Sequence, residues 1–213
     1  MNAFALSGLL TGLTSLAFGY FVYLKGRERA VNRLWFYFTL SVAVWGWGSM
    51  WIGLARTPSD ALLAWRLAFA CGVVWIPVLF AHFVHAFCEL PRTRFFTATY
   101  IHGVLFVPLA FTDFFFNDVR PVFSFYYATP GFVFPYFVLW WLATVAYSHL
   151  LLIATGSHRT GQKRTQVSYF LLATSIGYIF GALDYLPIFS IDLYPYGNFA
   201  IVLYPVIMTY AIV

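Results

Sequence analysis

Residues 61–88 read ALLAWRLAFACGVVWIPVLFAHFVHAFC, with Arg66 as the single charged side chain in the run. A helix of this length rises about 1.5 Å per residue and so exceeds the roughly 30 Å of a bilayer's hydrocarbon core. No soluble domain needs a helix this apolar all the way round. The run is immediately followed by Glu89, Leu90, Pro91, Arg92, Thr93 and Arg94, a breaker and two cations. That pairing of a long apolar run with a short basic loop decides the class of the whole chain.

The rest of the sequence repeats it. Of the 213 residues, 62% are hydrophobic, 23% aromatic and 9% charged, against about 25% charged in a soluble domain. Seven apolar runs are predicted to span: 4–24, 34–55, 61–88, 95–115, 132–155, 166–186 and 195–213. The expected fold is therefore all-α, a seven-transmembrane helix bundle. Nine of the twelve Lys and Arg residues lie in three alternate loops: Lys25, Arg27, Arg29 and Arg33; Arg92 and Arg94; Arg159, Lys163 and Arg164. The positive-inside rule then places the N-terminus outside and the C-terminus in the cytoplasm. The net charge of +5 belongs to this topology and to anionic lipid, so no nucleic acid is implied as a partner. Cys71 and Cys88 lie too far apart on one helix to bond to each other and read as small buried hydrophobes. The stretch from Asp113 to Pro135 is long and aromatic, and is expected to fold over the bundle mouth as a lid or short interfacial helix. Gly8/Gly12 and Gly177/Gly181 have the G-x-x-x-G spacing of close helix packing or a dimer face. Pro77, Pro108 and Pro205 lie inside spans and are expected to kink them.

Ionisable and aromatic groups in the spans supply the candidate site, because each is costly in lipid. Arg66 stands about one turn inside the outer end of span three, beside Trp65. It either pairs with an acid such as Asp184, at similar depth in span six, or binds an anionic group on an external ligand, which suits its planar fork. Trp51, Trp65, Tyr185, Tyr194 and Tyr196 gather toward the outer side, as an interfacial belt or as the wall of an outward pocket for a small amphipathic ligand. Arg66, Trp65, Asp184, Tyr185, Tyr194, Tyr196 and Trp51 are the expected ligand-binding residues. His82 and His85 lie deeper, and at 100° per residue on another face from Arg66. They read as buried, hydrogen-bonded, structural or sensing groups. Two histidines at this spacing also suit a metal or haem, but no further ligand set accompanies them, so no metal or cofactor is expected. Span seven has no lysine for a retinal Schiff base. Zinc-protease, serine-hydrolase and phosphate-loop motifs are absent, and the inner loops are too short for a catalytic domain, so this region is not expected to be an enzyme.

Several short motifs line up with a known family. They are Trp65-Arg66-Leu67 opening span three, Pro77 followed by His82-Phe83, and Lys163-Arg164-Thr165-Gln166 opening span six. Asp184-Tyr185-Leu186-Pro187 closes span six, and Tyr210-Ala211-Ile212 ends the chain. In these the whole chain resembles the N-terminal seven-transmembrane sensor region of bacterial histidine kinases. The resemblance implies a multi-pass protein of the bacterial cytoplasmic membrane. It also implies a cytoplasmic output domain on the same chain, a kinase or a cyclic-dinucleotide enzyme, and a homodimer. It supplies no catalytic residue and no ligand. It fits the last apolar run, Pro195 to Val213, which reaches the final residue without a polar tail and reads as a membrane module cut from a longer chain. The expected function is a receptor that binds a small or lipid-like external ligand and passes a signal through its last helix. Arg66→Ala is expected to abolish the response with expression intact. The alternatives are a small transporter or channel, and an intramembrane metal or haem protein built on His82 and His85.

Overall fold

A computed structural model describes residues 1–212. The chain begins with α1 (Ala3–Lys25), capped by Asn2, whose side chain accepts from the Ala5 amide at 2.8 Å. The Asn2 side-chain Nδ2 donates to the Gly53 carbonyl at 2.8 Å, tying α1 to the end of α2 (Ala30–Leu54). Between these two helices the backbones touch. A Cβ built on Gly46 would sit 2.5 Å from the Gly12 nitrogen, and one on Gly8 would sit 2.6 Å from the Gly46 carbonyl. The first glycine pair is thus a closely packed internal seam and faces no second copy of the chain.

The decisive run of the sequence forms α3 (Pro58–Ala68), a π turn (Phe69–Val73) and α4 (Trp75–Phe87) in one continuous stretch. Thr57 caps α3 by accepting from the Asp60 amide, and Pro58 takes the first turn, where its missing N–H is no loss. Pro77 lies in the first turn of α4. Its ring and its missing donor fall on the Val73 carbonyl, the end of the π turn. The helix thus meets the proline by widening just before it. The Trp75 indole donates to the Ala70 carbonyl at 3.1 Å within the widened turn.

α5 (Arg94–Leu109) is capped by Thr93 and is shorter than the predicted fourth span. The connection after it is neither an interfacial helix nor irregular. It is an antiparallel hairpin of β1 (Phe116–Val122) and β2 (Phe125–Pro130). Phe123 and Ser124 turn it with φ of 55° and 71°, unusual for a phenylalanine. The Phe123 ring packs edge-on against Tyr194 at 5.1 Å, which holds it there. The chain returns through α6 (Phe134–Ser157) and α7 (Gly161–Ala182). Two 3-10 turns, Leu183–Tyr185 and Pro187–Phe189, extend α7. The last predicted span is broken into α8 (Gly197–Ile201) and α9 (Tyr204–Ile212), with Pro205 in the first turn of α9. Val213, the end of that span, lies outside the described residues.

The described chain therefore makes seven helical passes between a hairpin end and an end rich in Lys and Arg. Four stretches are long and apolar enough to cross a membrane: Ala3–Lys25, Pro58–Phe87, Phe134–Ser157 and Gly161–Phe189. Their outer surfaces are apolar, with Leu139, Leu150, Leu172 and Ile179 exposed. In water such a surface would drive association; in lipid it needs no cover. The interior collects small polar groups instead. Ser7, Ser41 and Ser49 are buried and donate to carbonyls three or four residues back.

Candidate functional site

Below the hairpin the helices do not close completely. They leave a narrow cavity of about 60 Å³. The space is therefore a narrow slot, suited to a ring or a chain. Its wall takes Phe38 and Trp45 from α2, Trp65 from α3 and Phe69 from the π turn. Trp141 of α6, Thr174 and Tyr178 of α7, Asp184 and Tyr185 of the 3-10 turn, Ile201 of α8 and Tyr204 of α9 complete it. Gly177 and Gly181 also lie on it. Cβ atoms there would meet Tyr204 at 3.6 Å and Ile201 at 3.5 Å, ordinary contact distances. The second glycine pair thus leaves room inside the bundle.

Polar groups in this wall are short of partners. Asp184 is 3% exposed and makes no full hydrogen bond with either carboxylate oxygen; the neighbouring Asn198 side chain, buried off the slot wall, is its polar partner. The Tyr204 hydroxyl has Ser15 beside it, and the Tyr178 hydroxyl and the Trp141 indole N–H lack a partner. A native interior satisfies nearly all such groups, and a buried carboxyl without strong partners costs several kcal/mol. The slot is therefore the place in the bundle where a buried acid stands among aromatic rings with little to satisfy it.

The hairpin forms the roof of this slot and is stitched to it. The Trp65 indole donates to the Tyr126 carbonyl at 3.1 Å. The Tyr127 hydroxyl donates to the Asp184 carbonyl at 2.9 Å. Tyr127 is fully buried, and burial together with the nearby Asp184 pushes its phenol well up, so it stays a neutral donor. Arg66 reaches Asp113 at 2.6 Å and the Phe116 carbonyl at 2.8 Å. Arg120 of β1 donates to the Pro187 carbonyl at 2.8 Å and pairs with Asp192, whose carboxyl it holds below the usual carboxylate range.

Of the residues singled out in the sequence, the structure brings Trp65, Asp184 and Tyr185 together in the slot. Arg66 does not join them: its acid is Asp113, not Asp184, because its side chain leaves the helix toward α5. Tyr194 accepts from the Phe4 amide at 3.1 Å and stacks with Tyr196 at 4.4 Å, at the hairpin end above the slot. Tyr196 and Trp51 are 66% and 42% exposed. His82 shares a hydrogen bond with the Tyr100 hydroxyl of α5. His85 joins the Pro91 carbonyl at 3.1 Å to the Tyr147 hydroxyl of α6 at 3.2 Å. The faces assigned to Arg66 and His82 need correction. The extra residue of the π turn rotates everything after it by roughly 100°, so both side chains turn to the α5 flank at different depths. Among the described residues, no three His, Cys, Asp or Glu side chains come close enough to hold a metal. Slot residues missed in the sequence include Phe69, Trp141, Tyr178 and Tyr204. Only Tyr178 carried a signal, through its place between Gly177 and Gly181.

A bundle of helices around a roofed internal slot, four of its stretches long and apolar enough to cross a membrane, is the frame of a membrane-embedded protein. Residues 8–213 match the family described as the N-terminal 7TM region of histidine kinase, and the chain belongs to it. No curated protein and no solved structure matches the chain.

Proposed function

We propose that the chain is the ligand-sensing membrane module of a bacterial signalling protein, spanning the cytoplasmic membrane seven times with its N-terminus outside. A small amphipathic ligand enters the slot beneath the hairpin and touches Trp65, Asp184 and Tyr185. Arg66 acts on the ligand through the roof, which it pins at Phe116. Tyr194, Tyr196 and Trp51 form the outer rim, and His82 and His85 tie the cytoplasmic ends of the helices together. The slot wall includes Ile201 of α8 and Tyr204 of α9, and this single observation carries the reading. Whatever fills the slot changes the packing of the final helix. A ligand shifts an equilibrium by its differential affinity for two arrangements, and α9 leads toward the output domain, a kinase or similar, within a homodimer.

Filling the slot with protein tests this. Gly181→Phe projects a ring into it, while Gly181→Ala adds a methyl at ordinary contact distance. In the full-length protein in membrane vesicles, Gly181→Phe should fix output at one level and Gly181→Ala should leave it near wild type. A folded Gly181→Phe protein with wild-type output would sink the reading.

A further inference from the structure

The chemistry of the slot selects a class of ligand. We propose that it takes a small lipophilic organic cation, an amine or quaternary ammonium on an apolar body, with the cation at Asp184. This rests on the reading of the slot as the ligand site.

The charge pattern points one way. The wall contains one ionisable acid, Asp184, and no Lys, Arg or His. The nearest guanidiniums are engaged elsewhere, Arg66 with Asp113 and Phe116, Arg120 with Asp192 and Pro187. An anionic ligand would meet neutral donors, the Trp141 indole N–H and the tyrosine hydroxyls, but no free cation to offset the Asp184 carboxyl. A cation meets the opposite. Asp184 is buried and lines the void, with no cation beside it and only the neutral Asn198 side chain as a polar neighbour, at a distance too long for a full hydrogen bond. Around them stand the rings of Trp45, Trp65, Trp141 and Tyr185. Aromatic faces carry negative charge density and attract a desolvated cation, tryptophan most strongly. An aromatic wall closed at one end by a carboxyl is how an alkylammonium group is held away from water. The narrowness of the slot adds the second half of the ligand: a flat ring or slim chain lying against Phe69 and Tyr178.

The test uses three probes of one shape: 2-phenylethylammonium, 2-phenylethanol and phenylacetate. They are titrated onto the full-length protein in lipid nanodiscs near neutral pH, read by quenching of the slot tryptophans and by thermal stability. The amine should bind saturably and roughly tenfold tighter than the alcohol, and phenylacetate should not compete. Asp184→Asn, which keeps the shape, should bring the amine down to the level of the alcohol and leave the alcohol unchanged. Asp184→Glu should keep the preference. An amine that binds no tighter than the alcohol, or not at all, overturns the proposal. So does an amine preference that survives in Asp184→Asn. Alcohol binding that Gly181→Phe abolishes would preserve the slot as the ligand site even then. Probe binding that Gly181→Phe leaves untouched would remove both.

Discussion

Two glycine-to-alanine substitutions separate the rigid part of this bundle from the part that yields. At Gly46 the added methyl would lie 2.5 Å from the Gly12 nitrogen, 2.7 Å from the Gly8 carbonyl and 2.9 Å from the Gly12 Cα. All three are backbone atoms, so no side chain can swing aside. α1 and α2 must separate along a seam that also buries Ser7, Thr11 and Ser49. Overpacking of this kind costs typically 1–3 kcal/mol, from which the better helix propensity of alanine recovers about 1 kcal/mol. At Gly177 the methyl meets the Tyr204 side chain at 3.6 Å, which is contact without compression. Here the propensity gain of about 0.5–1 kcal/mol stands alone. The propensity gain is common to both, so the two variants should differ by roughly the 1–3 kcal/mol of overpacking. That corresponds to about 2–12 °C in unfolding midpoint for a chain of this size. The assay is thermal unfolding by tryptophan fluorescence in detergent micelles, with Gly8→Ala expected to follow Gly46→Ala. Equal midpoints for Gly46→Ala and Gly177→Ala would refute the reasoning. The contrast has functional weight, because the loose seam is the one between α7 and α9 that borders the slot.

Three further outcomes are expected. Trp65→Phe removes the donor to the Tyr126 carbonyl and should destabilise by about 1–3 kcal/mol; faster hydrogen exchange across residues 116–130 would show the roof loosening, and unchanged exchange would argue against the stitch. Arg66→Ala should abolish the signalling response with expression intact, as should Asp113→Ala in weaker form, since both release the roof; an equal response in the Arg66 variant counts against the pinning role. Asp192 is held below the usual carboxylate range by Arg120, so the pair persists as pH falls through that range and is lost only as pH passes the lowered value. Carbon-detected NMR of the labelled Asp carboxyls should find Asp192 titrating last among the exposed ones, and Arg120→Ala should return it to ordinary values.

The membrane class and the helical plan were legible because they depend on local composition. Lipid penalises every unpaired polar group wherever it falls, so a run such as 61–88 declares itself without knowledge of its neighbours. Trp65, Asp184 and Tyr185 were legible for the same reason, as polar or aromatic groups at a depth where they need explaining. What failed depended on partners. The hairpin was invisible because Phe123 holds a positive φ only through its contact with Tyr194, where a turn written in the sequence would use glycine or asparagine. Arg66 chose Asp113 over Asp184 because its side chain leaves α3 toward the start of the hairpin, where Asp113 and the Phe116 carbonyl meet it.

The sequence by itself determined that the chain belongs in lipid and which buried groups are costly there. Whether those groups are satisfied was decided by tertiary structure alone. Five helical stretches, each ordinary on its own, meet around the slot that Asp184 lines beneath the hairpin, and only their packing places that carboxyl beside Asn198 in an aromatic wall rather than in an ion pair.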